Sequence, residues 1–147
     1  MIEQLHKTLE MDSNFSLAHQ DLGLAYVQKS MYKEGIVEIE KELAISPNNL
    51  QALAMLGNAY ARAGRREEAL KVLSQLDEIS KKRYVFMTFR AIIFAGLGEK
   101  DKAIEWLEKS YVERTIEVPE YIKVSPLYDP LRSDPRFQDL LRRMNLQ

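Results

Sequence analysis

The sequence predicts an all-α fold, a solenoid of antiparallel helix pairs ended by a C-terminal closing helix, and two observations carry that expectation. The first is a repeat. Leu22-Gly23 returns as Leu56-Gly57, 34 positions on (22 to 56), and Tyr26 returns on the same step as Tyr60 and then Phe94. Gly35, Ala69 and Ala103 keep the interval, as do Ile39, Leu73 and Leu107. The second is helical periodicity inside each unit: Leu53, Leu56, Ala59 and Tyr60 fall at three- and four-residue steps, and so do Ala69, Val72, Leu73 and Leu76. A fixed period of this length marks helix hairpins that bury their apolar faces only against their neighbours.

In frame, the full units are 16–49, 50–83 and 84–117, after a half unit at 1–15 and before an irregular segment with a closing helix at 118–147. The half unit aligns Met1-Ile2-Glu3-Gln4-Leu5 with Ala69-Leu70-Lys71-Val72-Leu73, so the chain opens on the second helix of a repeat. The expectation is a fragment of a longer protein or an unusual start. This unpaired helix, through Leu5 and Leu9, is also a candidate surface for homo-oligomer formation. Gly64-Arg65-Arg66 and Gly98-Glu99-Lys100 separate the helices of the second and third units, with glycine supplying the left-handed backbone that ends the first helix. Ser30 takes that slot in the first unit. Ser46-Pro47-Asn48-Asn49 stops one helix and caps the next. Gly23, Gly57 and Ala91 on the first helices, and Gly35, Ala69 and Ala103 on the second, are small so that the paired helices approach closely. That compensates for the helix propensity an interior glycine forfeits, up to about 1 kcal/mol. Beyond residue 117, Asp129-Pro130 and Asp134-Pro135 each read as a helix start with Asp as N-cap. Phe137, Leu140, Leu141 and Met144 then make the apolar stripe of a last helix ending near Asn145.

The 147 residues make one domain by length, 46% hydrophobic and 29% charged, a soluble globular balance. With 21 basic and 22 acidic residues the net charge is −1, so no basic excess attracts a phosphate backbone and nucleic acid is not an expected partner. The absence of cysteine excludes disulfides and thiolate metal sites and permits reducing and oxidising compartments alike. The apolar stretches are too broken to span a membrane, and the charged N-terminus is unlike a secretory signal. A cytoplasmic site is the default expectation, with an extracytoplasmic one open if the chain is part of a larger protein.

On Leu-Gly-x-x-Tyr, the small residue nine positions beyond that Tyr, and the unit-ending Pro47, the chain resembles the tetratricopeptide repeat family over roughly residues 1–117. Gly35 replaces the usual alanine, Glu42 stands where a small residue is common, Ser13 stands where proline is usual, and Arg90 replaces a buried leucine. The run AGLGEKDKAIEWLEKSY followed by DPLRSDPRFQDLLRRMNL is further similar to C-terminal repeat segments of prokaryotic signalling proteins, attached to nucleotide cyclase, protein kinase or winged-helix regulator domains.

The resemblance implies a right-handed superhelix whose concave wall is built from the first helix of each unit. The wall residues it assigns are Leu17, Gln20, Asp21, Leu24, Val27 and Gln28, then Gln51, Ala54, Met55, Asn58, Ala61 and Arg62, then Val85, Thr88, Phe89, Ile92 and Ala95. The implied function is non-catalytic binding of a protein or peptide on this face. The candidate peptide-binding set is Gln20, Leu24, Val27, Gln28, Gln51, Met55, Asn58, Arg62, Phe89 and Ile92. Asn58 and Arg62, one turn apart, form its best hydrogen-bonding pair, the amide suited to a peptide backbone and the guanidinium to a carboxylate. Chaperone-binding members clamp a terminal carboxylate with basic residues; the matching slots here, Gln20, Leu24, Met55, Val85 and Phe89, hold none, so that ligand class is rejected. In the competing reading Leu24, Val27, Phe89 and Ile92 pack against the protein's own tail or a neighbouring domain, in an intramolecular or self-association module of a larger signalling protein.

Arg90 is expected to snorkel to the edge and meet a carboxylate such as Glu105 or Glu108, since a buried unpaired guanidinium is severely unfavourable; a partner contact is the alternative. Trp106 is expected in interhelical packing. Catalysis has no candidate constellation. His6 and His19 are the only histidines, His19 in a packing slot, and no Cys or His cluster has metal-ligand spacing. Gly96-Leu97-Gly98 lacks the third glycine and the strand of a dinucleotide fingerprint. Glu67-Glu68 and Glu38/Glu42 are expected on solvated faces, and Arg142-Arg143 at the C-terminus of the last helix. No cofactor or metal is implied.

Overall fold

Apolar residues recurring at three and four positions become helix faces throughout the computed structural model, which describes residues 1–116 and 119–145. The helices are α1 (Ile2–Met11), α2 (Ser16–Gln28), α3 (Tyr32–Ile45), α4 (Leu50–Arg62), α5 (Arg66–Ser80), α6 (Met87–Gly96), α7 (Lys100–Val112), α8 (Pro119–Val124) and α9 (Pro135–Arg143), with a 3-10 helix, Pro126–Leu131, between the last two. No strand occurs among the described residues. The pairs α2/α3, α4/α5 and α6/α7 form hairpins, α4 packs on both α3 and α6, and α1 packs on α2. The result is an all-α solenoid with a closing helix. One core cluster runs from Val27 through Leu56, Leu76 and Ile93 to Phe137 and Leu140. The expected end of the third unit at Glu117 lies outside the described residues, as do Val118, Leu146 and Gln147.

The turn that closes each hairpin repeats atom for atom. Gly64 and Gly98 have φ of +79° and +75°, the left-handed region that glycine enters without steric cost. Ser30 adopts φ +61° in the same slot of the first unit. Behind each lies the same pair of bonds. Met31 N donates to Tyr26 O (2.9 Å), Arg65 N to Tyr60 O (2.8 Å) and Glu99 N to Phe94 O (3.0 Å), and the residue before each donor bonds three residues back. The 34-residue aromatic therefore packs a hairpin and also supplies the carbonyl that ends its first helix. A fourth copy of the turn, at Arg114 with φ +55°, ends α7 through Thr115 N and Ser110 O (2.9 Å).

Small residues set the helix spacing. A β-carbon on Gly23 would lie 2.6 Å from Ile39 Cγ1, and one on Gly35 would lie 3.1 Å from the main-chain oxygen of Gly23. The α3–α4 junction follows its residues: α3 stops at Ile45 and the Asn49 side chain caps α4 by accepting from Ala52 N (3.1 Å). At the next junction no Asx, Ser or Pro marks the start. Helix α6 begins at Met87 rather than near Tyr84, and its N-cap, Phe86, offers no side-chain acceptor. Tyr84, Phe86 and Phe89 instead stack edge to face at 5.1 and 5.6 Å.

Two expectations, for Glu38/Glu42 and Asp129-Pro130, are corrected, and two, for Arg90 and Arg143, are made more specific. Glu38 and Glu42 do not lie on a solvated face; they are 8% and 1% exposed, inside the first hairpin. Glu38 is bonded by His19 Nδ1 (2.7 Å) and Lys41 Nζ (2.8 Å), while Glu42 accepts from the Ser16 hydroxyl and from Asn49 Nδ2 (2.8 Å). Burial raises the Glu38 carboxyl, but the bonds from Lys41 and His19 outweigh it and hold the group below its ordinary value. Arg90 meets neither Glu105 nor Glu108: it donates through Nε to Asp77 Oδ1 (3.0 Å) and lies 5.0 Å from the Trp106 ring centroid. Its stem crosses the packed slot and its head reaches the exposed Asp77 at the rim, which reconciles a buried position with a charge. Arg143 does more than meet a helix end; it pairs with Glu108 of α7 and with Asp139, tying α9 back to the third hairpin. Asp129-Pro130 does not start a helix. Both lie inside the 3-10 helix, which Ser125 opens by accepting from Leu127 N (3.3 Å). Asp134 does cap α9, accepting from Arg136 N (2.9 Å) ahead of Pro135.

Candidate protein-binding surface

Helices α2, α4 and α6 line one side of the array, and the 3-10 helix packs on that side against α6, reaching α2 as well. Each expected binding residue has a distinct fate there. Gln28 and Gln51 are exposed, and Gln20, Leu24, Arg62 and Phe89 are partly exposed. Val27, Met55, Asn58 and Ile92 are buried. The Asn58–Arg62 pair is occupied by the chain itself. Asn58 Nδ2 donates to the main-chain oxygens of Ile92 (2.8 Å) and Leu127 (3.4 Å), and Arg62 Nη1 donates to that of Pro126 (3.0 Å). Asn58 Oδ1 has no donor among the described residues. Gly96 is required beside this amide, since a β-carbon there would sit 3.0 Å from the Asn58 main-chain oxygen and 3.2 Å from Nδ2.

The tail that takes these bonds is itself core. Ile122, Leu127, Tyr128 and Leu131 are at most 3% exposed, and Tyr128 stacks on Phe137 with ring centroids 6.1 Å apart. Burial pushes the Tyr128 hydroxyl well above its ordinary range. Arg132 fastens the segment, donating to Lys123 O (2.5 Å), Ser125 O (2.6 Å) and Asp129 Oδ1 (2.7 Å). Burying four such side chains contributes about 1.5–3 kcal/mol each. A peptide that binds at micromolar strength supplies only about 8 kcal/mol in total and would lose most of it by evicting the tail. The tail is thus a wall of the surface, not a loose occupant of it. Sequence reasoning missed Arg132, Leu127 and Tyr128; the one signal for them was the apolar run Pro126-Leu127-Tyr128 beyond the end of the repeat frame.

Between tail and helices a cavity of about 170 Å³ remains, lined by Gln51, Thr88, Phe89, Ile92, Ile116, Tyr121, Ile122, Leu127 and Tyr128. None of these side chains is charged at neutral pH. Among the described residues no group of three or more His, Cys, Asp or Glu is placed to hold a metal ion, and no helix is long and apolar enough to cross a membrane.

Hairpins of one design nested side by side, with an inner wall of first helices, define an α-solenoid repeat protein. Residues 26–88 match the tetratricopeptide repeat family. It is 27% identical over 120 residues to Superkiller protein 3 of Schizosaccharomyces pombe, a match covering 82% of this chain and 9% of that protein. It is 27% identical over 96 residues to Superkiller protein 3 of Saccharomyces cerevisiae, covering 65% of this chain and 7% of that one. The chain spans less than a tenth of the length of these curated relatives. Repeats of this family generally mediate protein–protein interaction and are typically non-catalytic.

Proposed function

We propose that this chain is a non-catalytic protein-interaction module that takes a protein or peptide segment on the part of its concave face left open by the tail. The observation that carries this reading is the division of the inner wall. Asn58 is consumed by the main-chain oxygens of Ile92 and Leu127 and Arg62 by that of Pro126, whereas Gln20, Leu24, Gln28, Gln51 and Phe89 keep exposed surface on the same wall. Their chemistry is apolar and amide, suited to an uncharged segment and unsuited to phosphate or carboxylate. A preformed wall loses little order on binding, so more of the contact energy survives as affinity. The test is a peptide array read with the intact chain and with Leu24→Asp and Gln51→Arg. Binding should fall about tenfold or more in both; equal binding by all three proteins would remove the concave face from the function.

A second reading has its own support: the inner wall already holds a segment of this chain, Pro126–Leu131. In that reading the module works within a larger signalling protein, a nucleotide cyclase, kinase or transcription regulator, or by self-association through α1. Sedimentation of the wild type and of Leu5→Glu/Leu9→Glu tests the latter. A dimer that survives both substitutions is not built on α1.

A further inference from the structure

The cavity between α6 and the tail is one-sided in its chemistry. Thr88, Phe89 and Ile92 form one wall, and Ile122, Leu127 and Tyr128 form the other. At about 170 Å³ it is comparable with cavities that admit a six-membered ring, about 150 Å³. Among the described residues its lining carries no charge, so a carboxylate, phosphate or ammonium entering it would lose part of its hydration with no counter-charge in return. The polar groups of the lining, on Gln51, Thr88, Tyr121 and Tyr128, are all neutral. Gln51, exposed on α4, also lines the cavity and so places it next to the open part of the wall.

We infer that this cavity is the anchor site for one uncharged apolar side chain, of leucine or phenylalanine size, carried by the segment that the concave face binds. The inference rests on the protein-interaction reading above and names the chemistry of its ligand. Volume sets the size of the occupant, and the neutral lining sets its charge. The tail is a co-builder of the site, contributing half of its walls, so shortening the chain would remove the anchor site along with the tail.

The experiment uses capped amino-acid amides as probes, N-acetyl-leucinamide, N-acetyl-phenylalaninamide, N-acetyl-alaninamide and N-acetyl-glutamate amide, titrated into the full chain with labelled Ile and Leu methyl groups. The leucine or phenylalanine amide should shift Ile92, Ile122 and Leu127, and the alanine and glutamate amides should bind about tenfold more weakly or worse. Gln51→Trp, at an exposed position, should abolish the shifts while circular dichroism and sedimentation stay those of the wild type; Phe89→Ala should enlarge the site and relax its choice of size. Equal response to all four amides, or shifts confined to other methyl groups, would overturn the assignment. If array peptides bind and Gln51→Trp binds them equally well, the interaction reading stands and the anchor falls. If the amides bind but no peptide does, the cavity belongs to a small apolar molecule and the anchor falls together with the peptide reading.

Discussion

Arg62 donates to the main-chain oxygen of Pro126 at 3.0 Å, joining the end of the fourth helix to a segment 64 positions later in the chain. The same guanidinium lies 5.4 Å from the Tyr32 ring centroid, at the start of α3. One side chain thus links the first hairpin, the second hairpin and the tail. Arg62→Ala should cost about 1.5–3 kcal/mol, the range for a hydrogen bond to a charged group. Urea unfolding followed by circular dichroism reads it, and a loss below a few tenths of a kcal/mol would show the bond to be ornamental.

Close helix approach predicts intolerance of a single methyl group. A β-carbon at Gly57 would meet Ile93 Cδ1 at 2.7 Å and Val72 Cγ1 at 3.0 Å, and Ile93 is fully buried. Alanine gains up to about 1 kcal/mol of helix propensity, while overpacking costs about 1–3 kcal/mol. Gly57→Ala should therefore lower the urea midpoint on balance. A raised midpoint would mean that α4 and α6 are not held at this separation.

Arg90 occupies the slot that Leu22 and Leu56 fill in the other units. Replacing a buried ion by an apolar side chain of similar size is often neutral or stabilising. Arg90→Leu should lie within about 1 kcal/mol of the wild type, although it discards both the Asp77 bond and the Trp106 contact. Arg90→Ala, which leaves a void against Trp106, should be worse by about 1–2 kcal/mol. The two thermal midpoints, measured side by side, decide whether packing or charge makes this position.

Asp134 caps α9 and is held down to about 2 by the side-chain and main-chain bonds of Arg136. Its folded value is depressed below the ordinary aspartate value of about 3.9, so its contribution is fully present above that pH and is lost as the pH falls toward 2. Glu38, depressed by Lys41 and His19, acts in the same direction on the acid side. Asp134→Asn keeps a cap acceptor and removes the charge. Its stability deficit against the wild type should be visible at pH 6 and should shrink toward zero at pH 2. A deficit that does not change with pH would refute the assignment.

The 34-residue interval, read from Leu-Gly-x-x-Tyr and its partners, was enough to place the three hairpins and their turns, because a repeated local pattern has to solve the same local problem each time. Glycine at 64 and 98, serine at 30, asparagine at 49 and aspartate at 134 each act within a few residues of their own position, and such chemistry is legible in one dimension. The start of α6 at Met87 was less legible, since no capping residue marks it. What the string could not yield was the traffic between distant segments. Glu38 and Glu42 look solvated by spacing alone, and only the return of His19 and Ser16 from the facing helix makes their burial tolerable. Asn58 and Arg62 look free for a ligand, but the packing of α6 on α4 brings the Ile92 oxygen to Asn58, and the path of the chain beyond residue 119 brings those of Leu127 and Pro126. Local hydrogen bonds and turn sterics were therefore settled by the order of residues. Which part of the wall stays exposed was settled by the docking of the tail, a contact between segments more than sixty positions apart that no period announces.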